Sequence, residues 1–155
     1  MDERVIVVIP AYNEEQTIAS VLIRLRQAAP EFDRVVVVDG SKDATGKVVA
    51  EMGEKQINLP VNLGYGLALQ TGLKYALHKG YDIVVSMDAD GQHRPEDVPR
   101  LVDALRETGA DMVIGSRYCD GSANNAPVER RLGQLLFSYL TRLLMGRRIY
   151  DTSSG

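Results

Sequence analysis

The sequence predicts an α/β domain built on an open, mainly parallel sheet with helices on both faces. Apolar runs rich in β-branched residues recur at 4–9, 34–38, 82–87 and 111–114, with a weaker one at 55–59. Runs that are apolar at every position read as strands buried on both faces, the pattern of a parallel sheet covered by helices. Helix-period segments lie between them, at about 14–29, 43–52, 64–79 and 95–108, so strand and helix alternate along the chain. A length of 155 residues suits one domain with a real core.

Taken in order, each strand delivers a polar segment to the same place. The first run ends in Pro10-Ala11-Tyr12-Asn13-Glu14 and the second in Asp39-Gly40-Ser41-Lys42-Asp43. Gly64 and Gly66 let the backbone pass closely before the third helix. The 82–87 run leads into Asp88-Ala89-Asp90-Gly91-Gln92-His93, and Pro95-Glu96-Asp97 opens the fourth helix. Ligands of open α/β sheets bind outside the carboxyl ends of the strands, so the 10–14, 39–43 and 88–93 segments share one functional rim. After residue 114 the character changes. A turn-rich loop at 120–127 precedes a helical pattern over 128–146, with Leu132, Leu136, Tyr139, Leu140 and Leu143 on one face and basic residues at both ends. That segment reads as a core-packing helix or as one that also lies near a membrane surface.

The 88–93 segment carries the most chemistry. In an extended segment alternate side chains face one way, so Asp88, Asp90 and Gln92 form a same-face series. Two carboxylates and an amide oxygen are hard ligands suited to Mg²⁺ or Mn²⁺, ions that usually act on phosphate groups. Chemistry on a diphosphate-containing substrate follows. The plainer alternative is that these acids end a strand and cap the next helix.

Composition narrows the classes. With 45% hydrophobic and 25% charged residues the chain reads as an ordinary soluble protein. The net charge of −3 argues against a nucleic-acid partner. That charge is uneven: residues 128–150 hold five arginines against Glu129, a net +4 that leaves −7 elsewhere. Cys119 has no second cysteine to pair with, which fits a reducing cytosol. The acidic Met1-Asp2-Glu3 start does not read as a signal peptide, and no apolar run reaches the roughly 20 residues that span a bilayer. A cytoplasmic location is expected, with peripheral attachment to the cytoplasmic face of the membrane compatible with it.

Other catalytic motifs fail. A dinucleotide fingerprint would need a third glycine where Leu69 stands and would follow the first strand, whose turn has no glycine. No Gly-Lys-Ser/Thr follows a Gly-rich loop, and no Gly-x-Ser-x-Gly elbow exists. His78 reads as a mid-helix packing or surface residue, and His93 as a loop cap or a phosphate contact.

Four segments then fall in a recognisable order: Val7-Val8-Ile9-Pro10-Ala11-Tyr12-Asn13-Glu14-Glu15, Val38-Asp39-Gly40-Ser41-Lys42-Asp43-Ala44-Thr45, Asn62-Leu63-Gly64-Tyr65-Gly66 and Met87-Asp88-Ala89-Asp90-Gly91-Gln92. The chain resembles the family-2 glycosyltransferases, and within them the polyprenyl-phosphate sugar transferases typified by dolichol-phosphate mannose synthase. Gly115-Ser116-Arg117-Tyr118, Arg130-Arg131 and Asp151-Thr152-Ser153-Ser154-Gly155 are similar to that branch's later motifs.

The resemblance implies the GT-A, Rossmann-like fold of nucleotide-diphospho-sugar transferases. It implies inverting transfer of a sugar from a nucleoside diphosphate sugar to a polyprenyl (dolichyl or undecaprenyl) phosphate, in cell envelope glycan biosynthesis. On that pattern Pro10, Ala11, Tyr12 and Glu14 hold the nucleoside, Asp39 meets the base or ribose, and Asp88 and Ala89 complete the nucleotide-sugar site. Asp88, Asp90 and Gln92 are the implied ligands of Mg²⁺ or Mn²⁺. Asp90 is expected in catalysis together with Arg117 and Arg131, which grip the acceptor phosphate, and 128–146 is the acceptor-side helix. Residues 1–155 are expected to form a single catalytic domain that lacks its C-terminal end, because the chain stops at Gly155 where the family continues. The family usually has two acids before Gly40-Ser41, and here the first position is Val38. A homo-oligomer is compatible with this reading. The alternatives are a family-2 transferase to a glycan hydroxyl and a nucleotide-sugar-binding module without turnover.

Overall fold

In a computed structural model of the chain, residues 3–115 are described. The chain divides into two compact units, Met1–Asp111 and Met112–Gly155. The first holds all the regular elements described below. Of the second, only residues 112–115 are described, so Arg117, Arg131 and the 128–146 helix lie outside the described residues.

Four strands make one parallel sheet in the order β3-β2-β1-β4. β1 (Val5–Ala11) is buried at all seven positions, as its unbroken apolar sequence requires. It pairs with β2 (Asp33–Asp39) on one side and β4 (Ile83–Ser86) on the other, while β3 (Gln56–Leu59) pairs with the far side of β2. The 111–114 run does not become a strand: residues 112–115 carry no regular structure, and Met112 and Ile114 are 73% and 66% exposed. A β-branched run becomes a strand only where a neighbour completes its ladder, and this one has no ladder partner among the described residues.

Helices cover both faces of the sheet. α1 (Ile18–Ala28) buries Ile18, Val21, Leu22 and Leu25, the i, i+3, i+4, i+7 stripe of an amphipathic helix. It begins later than the periodicity suggests because residues 15–17 form a turn, with Thr17 and Ile18 donating to the Glu14 carbonyl. α2 (Thr45–Glu51) is short and buries Val49. α4 (Val98–Thr108) follows a 3-10 turn at Pro95–Asp97 and stops at Gly109, whose φ of 61° supplies the left-handed cap. Arg24 grips Glu96 with two bonds of 2.8 and 2.7 Å, fastening that turn to α1. This bond above all pulls the Glu96 carboxyl down to about 2. Together with Val7 and Ile9 of β1, α1, α2 and α4 enclose one core.

α3 (Tyr65–His78) packs on the other face against Ile6, Val8, Val35 and Val37. Its buried residues Ala68, Gly72 and Ala76 are small and four apart, so its backbone lies close on β1. A Cβ at Gly72 would sit 2.1 Å from Val8 Cγ1. Gly72→Ala is therefore expected to lower stability by about 1–3 kcal/mol through overpacking, despite its better helix propensity. Gly66, on the same helix, has nothing within 4 Å of such a Cβ. Gly66→Ala should be neutral or stabilising by up to about 1 kcal/mol. Urea midpoints of the two variants check the contrast, and equal midpoints would contradict the close approach of α3.

Sheet order changes direction between β1 and β4, which makes their carboxyl ends the switch point of the fold.

Candidate functional site

A cleft of about 340 Å³ opens at that switch point. Its walls come from the segments that follow β1, β2 and β4 and from the entry to α3. Pro10, Ala11, Tyr12 and Glu14 line it from the end of β1, and Asp39 from the end of β2. Asp88, Ala89 and Asp90 line it after β4. The structure thus brings together eight of the residues singled out from sequence. It adds Asn62, Gly64 and Tyr65, which were visible as a Gly-rich motif but had no assigned role, and Ala68 of α3.

Asp39 is 2% exposed, and both of its oxygens are used. Oδ1 accepts the Leu63 N–H and Oδ2 the Gly64 N–H, each at 2.8 Å. A buried carboxylate is tolerable only when so bonded. Asp39 thereby holds the 62–64 loop against the end of β2, at the start of α3. Gly40 makes the approach feasible: its φ is +61°, and a Cβ there would lie 2.2 Å from the Val61 carbonyl carbon. Gly64 itself has a φ of +88°. Asp39 lines the cleft, and its partner among the described residues is this loop.

The acidic motif departs from simple alternation. β4 ends at Ser86, and residues 89–90 form a turn with Gly91 at φ 78°. Asp88 and Asp90 still share the cleft wall, brought there by a turn instead of an extended segment. Asp90 Oδ1 accepts the Gln92 N–H at 2.8 Å, an Asx turn that faces the Gln92 backbone. The Gln92 residue is exposed and is not part of the cleft lining.

Asp88 is divided between two environments. Its N–H donates to His93 Nδ1 at 3.2 Å, which leaves the imidazole proton for Nε2, 3.6 Å from Asp88 Oδ2. His93 thus caps the loop. Asp88 Oδ1 is buried and has no hydrogen-bond partner among the described residues. An orphaned carboxylate oxygen at a cleft wall, with a second carboxylate two residues on, fits a hard divalent cation. The described residues hold no group of three or more His, Cys, Asp or Glu able to cage an ion alone. One or two carboxylates with substrate phosphates completing the shell is the arrangement Mg²⁺ favours. The Tyr65 phenol stands beside Ser86 and Asp88. Burial first, and then the Asp88 charge, push it above its usual value, so at neutral pH it is an O–H donor.

The family model described as glycosyl transferase family 2 matches residues 6–154. The chain belongs to that family. It is 38% identical over 158 residues to an undecaprenyl-phosphate mannosyltransferase of Micrococcus luteus, covering 98% of this chain and 64% of the relative. It is 36% identical over 160 residues to a polyprenol monophosphomannose synthase of Mycolicibacterium smegmatis, covering 99% and 60%. The chain therefore spans about three fifths of the length of these relatives. Among solved structures, a mannosyltransferase from Pyrobaculum calidifontis in complex with GDP-Man and Mn²⁺ superposes with a TM-score of 0.59 and 27% identity, covering 68% of this chain and 33% of that one. The parallel sheet flanked by helices is the GT-A glycosyltransferase fold, as the sequence motifs implied.

Proposed function

We propose that the chain supplies the donor-binding and metal-binding part of a glycosyltransferase that moves a sugar from a nucleoside diphosphate sugar to a polyprenyl phosphate, with inversion. The observation that carries the reading is the cleft at the β1/β4 switch point, which Asp88, with its orphaned Oδ1, and Asp90 line together with Tyr12 and Glu14. The names of the relatives, both polyprenyl-phosphate sugar transferases, support the acceptor class.

Each part of the cleft then has a task. Pro10, Ala11, Tyr12 and Glu14 hold the nucleoside end of the donor, with the Asp39-supported loop opposite. Asp88 and Asp90 would hold Mg²⁺ or Mn²⁺. Such an ion, when bound, neutralises the charge that grows on the departing nucleoside diphosphate. The acceptor phosphate, with a second pKa of roughly 6, is already ionised at neutral pH and attacks without a dedicated base. A hydroxyl acceptor would need one. Among the described acids of the cleft, Asp39 is committed to the 62–64 loop, Glu14 Oε2 accepts the Thr17 hydroxyl at 2.6 Å, and the other two are the metal pair. No helix among the described residues is long and apolar enough to cross a membrane. Peripheral attachment at the cytoplasmic face would let the enzyme meet a lipid acceptor.

Arg117 and Arg131 are proposed to grip the acceptor phosphate, since guanidinium forks match phosphate oxygens. Arg117→Ala and Arg131→Ala, made in the intact gene product, should each cut transfer to polyprenyl phosphate by about 10²–10³-fold, as loss of a preorganised donor does elsewhere. Affinity for the nucleotide sugar should stay unchanged. Undiminished transfer in both variants would overturn the lipid-phosphate acceptor and favour a glycan hydroxyl. Nucleotide-sugar binding without any turnover in the wild type would favour a binding module.

A further inference from the structure

The segment that carries Tyr12 and Glu14 is held from behind. Asn13 has a φ of 56°, the one positive value at a non-glycine position among the described residues. Asn tolerates this left-handed geometry better than most residues, at a residual cost in strain. Five hydrogen bonds then join this loop to the loop after β2. The N–H groups of residues 13, 14 and 15 donate in turn to Ser41 Oγ (3.1 Å), Thr45 Oγ1 (2.8 Å) and Asp43 Oδ2 (3.1 Å). In the reverse direction, the Lys42 N–H donates to Asn13 Oδ1 at 2.9 Å and the Ala44 N–H to Glu15 Oε2 at 2.8 Å.

Asp43 is itself anchored, accepting the Thr45 N–H at 3.0 Å and its hydroxyl at 2.5 Å through Oδ1. Burial works to raise the Asp43 carboxyl, but the bonds it accepts outweigh that and hold it below the usual carboxylate range. It therefore stays an ionised acceptor at neutral pH. Thr45 is fully buried. None of Asn13, Ser41, Asp43 or Thr45 lines the cleft, whereas Tyr12 and Glu14 on either side of Asn13 both do.

We propose that Asn13, Ser41, Asp43 and Thr45 are positioning residues, a clasp that presets residues 12–14 as the nucleoside wall of the cleft; this rests on the donor-site reading above. A free loop of this length would have to be ordered on each binding event. Fixing a backbone residue has an entropic cost that a preformed wall avoids, and the gain appears as affinity. The reciprocal pattern, side chain of each loop to backbone of the other, is what a latch needs and what a ligand contact does not.

Calorimetry with GDP and with UDP, each in Mn²⁺, and amide hydrogen exchange on the free protein test this together. Asn13→Gly keeps the left-handed backbone and removes Oδ1, and Thr45→Val removes the hydroxyl at nearly constant shape. Both should weaken binding of the preferred nucleotide by about 10- to 100-fold, the cost of ordering one or two residues. Both should also speed exchange at residues 13–15. Asn13→Asp and Thr45→Ser, which retain the acceptor and the hydroxyl, should restore affinity and slow exchange. Faster exchange with unchanged affinity would overturn the clasp's role in binding, and unchanged exchange would overturn the clasp itself. Failure of the wild type to bind either nucleotide would overturn the donor-site reading, and the proposal with it.

Discussion

Asp88→Asn is expected to abolish the contribution of Mn²⁺ to nucleotide-sugar binding and to reduce turnover by about 10²–10³-fold, the scale on which a preorganised charge-stabilising group acts. The change preserves shape and removes the charge. Asp88 Oδ1 is buried with no hydrogen-bond partner among the described residues. Oδ2 faces His93 Nε2 at 3.6 Å, too long for a strong bond. A loss of metal response with an unchanged urea midpoint therefore reports on the ion and not on the fold. Asp90 behaves differently, because its Oδ1 accepts the Gln92 N–H at 2.8 Å. Asp90→Ala should also abolish metal-dependent binding, but it opens the turn as well. Asp90→Asn keeps an acceptor there and separates the two effects. Calorimetry in Mn²⁺ and in excess EDTA makes the measurement. Equal wild-type affinity in the two buffers would sink the metal role of both residues.

Strand identity was legible because β-branched runs buried on both faces have few other uses, and β1, β2 and β4 fall within two residues of their expected bounds. The rim was legible for the same reason: once the strands are parallel and alternate with helices, their carboxyl ends share one edge. Features that depend on partners distant in sequence were not. Asp39 meets residues 24 and 25 positions away, and nothing in Val38-Asp39-Gly40 names them. The Asp88, Asp90, Gln92 series assumed that extension continues past β4, whereas the chain turns at Gly91, with φ 78°, and Gln92 is not part of the cleft lining. The 111–114 run shows the converse, a strand-like sequence without a ladder partner among the described residues. The Ser41-Lys42-Asp43-Ala44-Thr45 motif was visible, but only the folded chain pairs it with Asn13.

Asp39→Ala is expected to damage both stability and binding. The substitution leaves the Leu63 N–H without its acceptor, in a place that is 2% exposed at Asp39, and leaves the Gly64 N–H only its second acceptor, Asn62 Oδ1 at 3.0 Å. An unsatisfied buried donor costs about 1–3 kcal/mol, the loss expected here unless the loop swings out to water. If it does swing out, it takes Asn62, Gly64 and the start of α3 away from the cleft they line. Either way the nucleoside diphosphate should bind more weakly, by about 1.5–3 kcal/mol where a charge-assisted bond is the measure. Asp39→Asn refines the reading. Its amide keeps one acceptor but turns an N–H donor toward a backbone N–H, so it should also lower the urea midpoint. A contact to base or ribose alone would leave that midpoint in place and change only the dissociation constant. Loop support moves both, in proportion, in both variants. An unchanged midpoint together with an unchanged dissociation constant for GDP and UDP would remove Asp39 from either role.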